Sequence, residues 1–243
     1  MTRALLALFL GFSSASSAQD GPPPAEPPPS EKAKLQDLGG GKYEIGLVSI
    51  DQNTRSISFP ATLNMTEGKL EFAIVHEQGK IHESLLITKV DAFNLNVALK
   101  LLRYQESPEL FQILDEDYRP TGKYHEVSAK TKEAARVALT VSWKTPEGAT
   151  KTSPLNQWIL HVPSKKAVPD GPWIYGGSYI HNGAFQAKAQ GEFAALFTSN
   201  ISLFNHPGAD HDLDDVWEPN LQELPDLGTP LTVILKPYSK TTK

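Results

Sequence analysis

Residues 70–102 read LEFAIVHEQGKIHESLLITKVDAFNLNVALKLL, and two periodicities meet inside them. Residues 70–76 form an apolar run of strand length, Glu77-Gln78-Gly79-Lys80 is a polar connection, and residues 81–90 are strand-like again. A short link containing glycine predicts a hairpin, hence antiparallel pairing of the two segments. Then the period changes. Asp91 is placed to accept hydrogen bonds from the free N–H groups of a first helical turn. After it Phe93, Leu95, Val97, Ala98, Leu99, Leu101 and Leu102 follow helical spacing, with Arg103 expected in the last turn, where a cation suits the helix dipole. One apolar side of this helix is expected to cover a sheet.

Strand signals continue on both sides. Residues 42–50 and 55–59 alternate, and Pro60 is expected to begin a bend. Residues 106–132 are polar and broken, which predicts a surface excursion. Residues 135–145 are the clearest later strand. Residues 154–161 read as a short helix, with Ser153 as cap and Pro154 at the first position. Residues 172–180, 183–189 and 192–198 read as three strands, and residues 231–235 (LTVIL) as a closing one. Runs of strands with few helices predict an α+β fold, mainly antiparallel, with one or two covering helices. No repeat or second linker divides residues 42–243, so one domain is expected; two lobes meeting near residues 104–134 are the alternative.

Composition closes several classes. The chain has 243 residues, 40% of them hydrophobic, enough for a sizeable core. Its formal net charge of -5 disfavours a broad grip on nucleic acid. The absence of cysteine removes disulfides, thiol nucleophiles, thiolate zinc sites and cysteine-ligated iron–sulfur clusters.

The amino terminus has the layout of a secretory signal peptide: Arg3, the apolar run ALLALFLGF, then Ser16-Ser17-Ala18 as a small-x-small cleavage site. The apolar run is far short of the roughly 20 residues that span a bilayer. Residues 1–18 are therefore expected to be a leader, with a buried helix as the alternative, and the mature chain is expected without a transmembrane span, in the periplasm or outside the cell. Residues 19–41 are rich in proline and glycine and read as a disordered linker, its Pro22–Pro24 and Pro27–Pro29 runs favouring an extended spacer.

Candidate chemistry is sparse. His82 and Glu83, with Ser84, carry groups suited to proton transfer, but strand alternation places His82 and Ser84 on one face and Glu83 on the other. Ser178 lacks the second glycine of a nucleophile elbow, Ile180 standing in its place. Residues 206–218 hold Asp210, His211, Asp212, Asp214 and Asp215. Alternate aspartates suit a calcium loop, although an EF-hand is excluded by Asp215 at the glycine position and Leu221 at the glutamate position. His206 and His211 beside these acids also suit zinc, so Asp210, His211, Asp212 and Asp214 are the candidate ligands of a divalent metal, calcium or zinc. Solvated surface acids are the plainer reading. Asn64-Met65-Thr66 and Asn200-Ile201-Ser202 match glycosylation acceptors, a pattern that chance supplies often. Trp143, Trp158, Trp173 and Trp217 are expected to pack in the core rather than stack on sugars.

Several blocks together resemble a known family. They are Phe59-Pro60-Ala61-Thr62-Leu63-Asn64-Met65 with Glu67-Gly68, Lys80-Ile81-His82-Glu83-Ser84-Leu85-Leu86, and Asp91 with Asn96-Val97-Ala98-Leu99. Gly177-Ser178, Asp214-Asp215-x-Trp217 and Gly228-Thr229-Pro230 follow in order. Across residues 42–237 the chain resembles the YdjY-like domain of exported bacterial proteins. The resemblance implies export and a single domain, and it brings no established activity. Some relatives are described as ferredoxin-like because of cysteine clusters; this chain has no cysteine, so no electron-transfer role follows. The expected function is that of a non-enzymatic binding or structural module of the bacterial envelope, with an envelope protein or a glycan as partner; a carbohydrate-binding module is a third reading. The alternative is a metal-dependent enzyme or metal-stabilised domain centred on residues 210–215. No complete catalytic constellation supports an enzyme.

Overall fold

The computed structural model describes residues 33–239. The expected leader and the proline runs of the spacer lie outside the described residues. The sheet begins earlier than the sequence pattern suggests: β1 (Leu35–Gly39) pairs antiparallel with β2 (Lys42–Ile45), so the glycines at 39–41 form a hairpin turn rather than the end of a linker. A second turn at Gly46 and Leu47 leads to β3 (Val48–Asp51), which pairs with β4 (Ser56–Leu63).

Strand β4 runs straight through Pro60, where a bend was expected. Its alternation buries Ile57, Phe59, Ala61 and Leu63. Proline fits because the strand changes partners there. On one edge β4 pairs with β3 up to Ser58 and with β6 (Ser84–Thr88) from Thr62 onward. The Pro60 carbonyl accepts a hydrogen bond from Thr88 Oγ1 at 2.6 Å in the gap between those partners. The N–H and C=O of one residue leave a strand on the same side, so the missing N–H points into the same gap and no ladder bond is forfeited.

The connection at residues 77–80 does not make a hairpin. Strand β5 (Phe72–His76) pairs with β6 in parallel, Ile74 opposite Leu86 and Val75 opposite Ile87. The chain folds back through a 3₁₀ turn at Ile81–Glu83, and the side-chain amide of Asn64 clamps that turn, donating to Ile81 O (2.7 Å) and Ser84 O (2.8 Å). So tight a return needs backbone against backbone. Gly191 has φ +71°, and a methyl added to it would lie 2.9 Å from His76 Cβ and 3.2 Å from Gly79 Cα. Glycine at 191 answers both the left-handed conformation and the contact.

Helix α1 (Ala92–Leu101) forms as its spacing predicts: Asp91 caps it by accepting from Phe93 N at 2.8 Å, and Ala92, Leu95, Ala98 and Leu99 are buried. Arg103 lies just past the helix with positive φ, and not in its last turn. The polar stretch after it carries a small hairpin (Gln112–Leu114 with Pro120–Tyr124) and α2 (Ala129–Ala135), capped by Ser128. Then come β7 (Arg136–Lys144), β8 (Thr150–Pro154) beside it, and β9 (Trp173–Tyr175). Residues 183–189, expected as a strand, are instead part of a two-residue ladder and α3 (Gln186–Gln190), which Gly191 terminates. Residues 154–161 form a single 3₁₀ turn and then a strand, and Ser153 makes no cap. Strands β10 (Glu192–Ala195), β11 (Phe204–Asn205) and β12 (Pro230–Pro237) complete the sheet.

Eight strands close a ring in the order β4-β12-β7-β9-β11-β10-β5-β6 and back to β4. The fold is α+β, a mixed β-barrel with three short α-helices among the described residues, most pairs antiparallel and β5–β6 and β10–β11 parallel. Strands β1–β3 extend the sheet beyond the ring. Its interior is filled by one cluster that includes Ile57, Phe59, Leu63, Leu86, Leu139, Phe193 and Val233. Burying each large side chain contributes roughly 1.5–3 kcal/mol. Among the described residues no helix is long and apolar enough to cross a membrane.

Thr88 ties the ring shut: its hydroxyl donates to Pro60 O and accepts from Val90 N at 3.2 Å. Thr88→Val keeps the shape and removes both bonds. It is expected to lower unfolding free energy by about 1–3 kcal/mol, read from the urea midpoint at unchanged slope.

Candidate functional site

Apart from the barrel sheet, strands Ile159–His161, Lys166–Ala167 and Trp217–Pro219 pair into a small antiparallel sheet. His161 and Trp217 are register partners, and their rings lie 4.9 Å apart. From the barrel side, β11 ends at Asn205 and delivers His206, whose N–H donates to Ala195 O at 2.9 Å. Its imidazole stands edge-on between Trp173 (5.4 Å) and Trp217 (5.3 Å). Asn156 holds Trp173 in place by accepting from its Nε1 at 2.8 Å and donating to Pro169 O at 2.9 Å.

Between these parts lies a cavity of about 470 Å³. Val168, Pro169, Pro172, Pro207 and Trp217 supply apolar wall, while His161, Ser164, Lys166 and Asp170 bring polar groups to it. A mostly apolar concavity with a few convergent polar groups is the usual form of a small-molecule site.

His206 is buried, and its Nδ1 has no hydrogen-bond partner. Burial, with smaller contributions from His211 and His161, pushes its pKa down to about 4. The ring is therefore neutral at pH 7. Gly208 closes over it: a methyl added at that position would lie 2.3 Å from His206 Cε1. His161 is different, because both its nitrogens are occupied. Nε2 lies 2.9 Å from Asp210 Oδ2 and Nδ1 lies 3.0 Å from Ser164 Oγ. Ser164 sits in a turn closed by Lys165 N donating to Val162 O, with Pro163 where the turn favours a fixed φ.

The expected metal ligands do not converge. Asp210 belongs to His161, and His211 is bound to Thr198 through Nδ1 at 2.6 Å and through its backbone. Asp212 and Asp215 are exposed, and Asp214 is among the charges acting on Glu71. Among the described residues no group of three or more histidine, aspartate or glutamate side chains is arranged to hold a metal ion.

His82 and Glu83 fall in the 3₁₀ turn rather than on a strand, with 3.7 Å between His82 Nε2 and Glu83 Oε2. His82 is exposed, and Ser84 is buried with its hydroxyl turned to Leu86 O. The turn and the acidic loop both act on Glu71. Glu71 feels both Glu83 and Asp214, and its carboxyl is raised above the usual range by burial first and by those charges next, Lys80 opposing them. Lys80 also lies 3.6 Å from Glu192, a buried carboxylate whose remaining needs are met by Ser199 and Ser202. This is a satisfied polar network. Ser178 Oγ accepts from Ala187 N at the start of α3.

Trp158, Trp173 and Trp217 are buried as expected. Trp143 is partly exposed and borders a separate groove of about 750 Å³ whose walls are mainly charged and polar, Lys144, Glu147, Lys151 and Asp226 among them. Comparison with family models, with curated proteins and with solved structures finds no match.

The neutral buried His206 makes stability pH-dependent. In the unfolded chain it takes up a proton near pH 6.5, in the folded chain only near 4. Its contribution is complete above pH 6.5 and is lost as pH falls toward 4, a total of about 3 kcal/mol. Urea unfolding at a series of pH values is expected to show this loss in the natural chain and a shallower one in His206→Gln.

Proposed function

We propose that the chain is an exported protein of the bacterial envelope whose barrel domain is a binding module for a small, mostly apolar molecule. The observation that carries the binding reading is the cavity between the small sheet and the end of β11: a volume of about 470 Å³, apolar walls, and a neutral imidazole packed between two tryptophans. That volume lies within the range of sites for small organic ligands. Export is supported by the leader pattern of residues 1–18, the proline spacer behind it and the resemblance to the YdjY-like domain. Exported production is expected to yield a chain beginning at Gln19, read by mass spectrometry of the intact protein.

No observation favours the metal-dependent alternative: Asp210 is bonded to His161, His211 to Thr198, and Asp212 and Asp214 are exposed.

The test of binding uses 1-anilinonaphthalene-8-sulfonate as an apolar probe. Ala209 lines the cavity and is exposed, so Ala209→Trp fills the cavity while sparing the core. The natural chain is expected to enhance probe fluorescence saturably, and to gain several degrees of melting temperature at roughly 100 times the dissociation constant. Ala209→Trp is expected to lose both effects at an unchanged far-ultraviolet circular dichroism spectrum. Enhancement that survives Ala209→Trp, or none in the natural chain, contradicts the assignment.

A further inference from the structure

We propose that Ser164, His161 and Asp210 form a hydroxyl–imidazole–carboxylate relay that lets this cavity transfer acyl groups from small apolar esters. The inference goes beyond binding, although it uses the same cavity.

The geometry is that of an activated nucleophile: a hydroxyl within reach of a base, and the base oriented by a third group. Ser164 Oγ lies 3.0 Å from His161 Nδ1, and Asp210 Oδ2 lies 2.9 Å from Nε2. A carboxylate only accepts, so it places the imidazole proton on Nε2 and leaves the Nδ1 lone pair facing the serine hydroxyl. The two nitrogens serve in the opposite order from that of the serine proteases, but the roles are the same, since such a relay is defined by geometry and not by position in the chain.

Each member is held in place and usefully exposed. His161 ends its strand and packs on Trp217, its side chain 17% accessible. Ser164 is exposed at the turn and lines the cavity. Asp210 has φ +62°, a left-handed conformation that aspartate adopts more readily than most residues. Here the turn Asp210–Leu213, closed by Leu213 N donating to Asp210 O at 3.0 Å, aims the carboxylate at a histidine 49 positions away. Ser164 Oγ has a second acceptor, His161 O, at the longer distance of 3.2 Å. Among the described residues that line the cavity, Lys166, on the strand that follows the serine turn, is the lysine that would offer positive charge to an oxyanion.

The acyl chain lies along the proline and valine wall. Ser164 Oγ attacks the ester carbonyl carbon as its proton passes to His161 Nδ1, and the Asp210 carboxylate balances the imidazolium. The tetrahedral oxyanion collapses, the bond from carbon to the alcohol oxygen breaks, and the departing oxygen takes the proton from Nδ1. Water repeats the sequence on the acyl-serine, releasing the carboxylic acid and restoring Ser164.

The test is reaction of the full chain with an alkyl fluorophosphonate, the modified residue being located by peptide mass spectrometry, alongside hydrolysis of p-nitrophenyl butyrate. Ser164 is expected to be modified, and Ser164→Ala to lose both the adduct and the hydrolysis. Asp210→Asn is compatible with the left-handed backbone and nearly isosteric, so the fold should survive. By releasing the tautomer it is expected to slow both reactions by at least about tenfold. No adduct on Ser164, or equal rates in Asp210→Asn, overturns the proposal. Probe binding without an adduct leaves the binding reading standing and removes this one; an adduct without probe binding does the reverse.

Discussion

The molecule depends on one strand changing partners along one edge. Strand β4 gives its first half to β3 and its last residues to β6, and only the second pairing turns an open sheet into a ring. Proline is tolerated at the changeover because no neighbour asks for its N–H, and Thr88 fills the gap by donating to the Pro60 carbonyl. Without that closure β6 would lose one of its two neighbours, and the buried face it shares with β5 would open to water.

Closure also places the site. His206 and Trp173 leave adjacent strands of the ring, β11 and β9, paired at Ile174 with Asn205. The small sheet then only has to bring Trp217 and His161 against them. Two tryptophans around an imidazole make a rigid corner, since large aromatic side chains packed edge to face have little freedom to rotate. The same packing removes water from His206 and keeps it uncharged, so one arrangement accounts for both the shape of the cavity and its electrostatic character. The polar groups ordered at the rim are His161 at the end of a strand of the small sheet, Ser164 in the turn that follows it, and Asp210 in the turn at residues 210–213.

Local signals were readable and distant ones were not. The helix after Asp91, the strand at Arg136–Lys144 and the last strand at Pro230–Pro237 carry caps or alternation that a short window reveals. The parallel pairing of β5 with β6 was misleading because a seven-residue return clamped by Asn64, with Gly79 against Gly191, looks in sequence like a hairpin loop. Five-residue α3 is too short to show a period, and Pro60 inside a strand contradicts propensity until its partners are known. The site was hidden for the same reason. Asp210 was visible as one of a row of acids, and its selection by His161 rests on a contact across 49 residues. His161 read as the end of a helix; once residues 159–167 are known as a hairpin, a serine three places on becomes noticeable.

Ring closure can be checked directly because the natural chain has no cysteine. Thr62 and Ile87 are register partners across the closing pair, and both side chains are only partly buried. Partnered strand residues have Cα separations of about 4.5–5.5 Å, which suits a disulfide. In the double variant Thr62→Cys, Ile87→Cys, mild oxidation of the folded protein is expected to form one intramolecular bond in nearly every molecule and to raise the melting temperature. Two free thiols after oxidation of folded protein, or cross-links between molecules alone, would mean that the sheet is open.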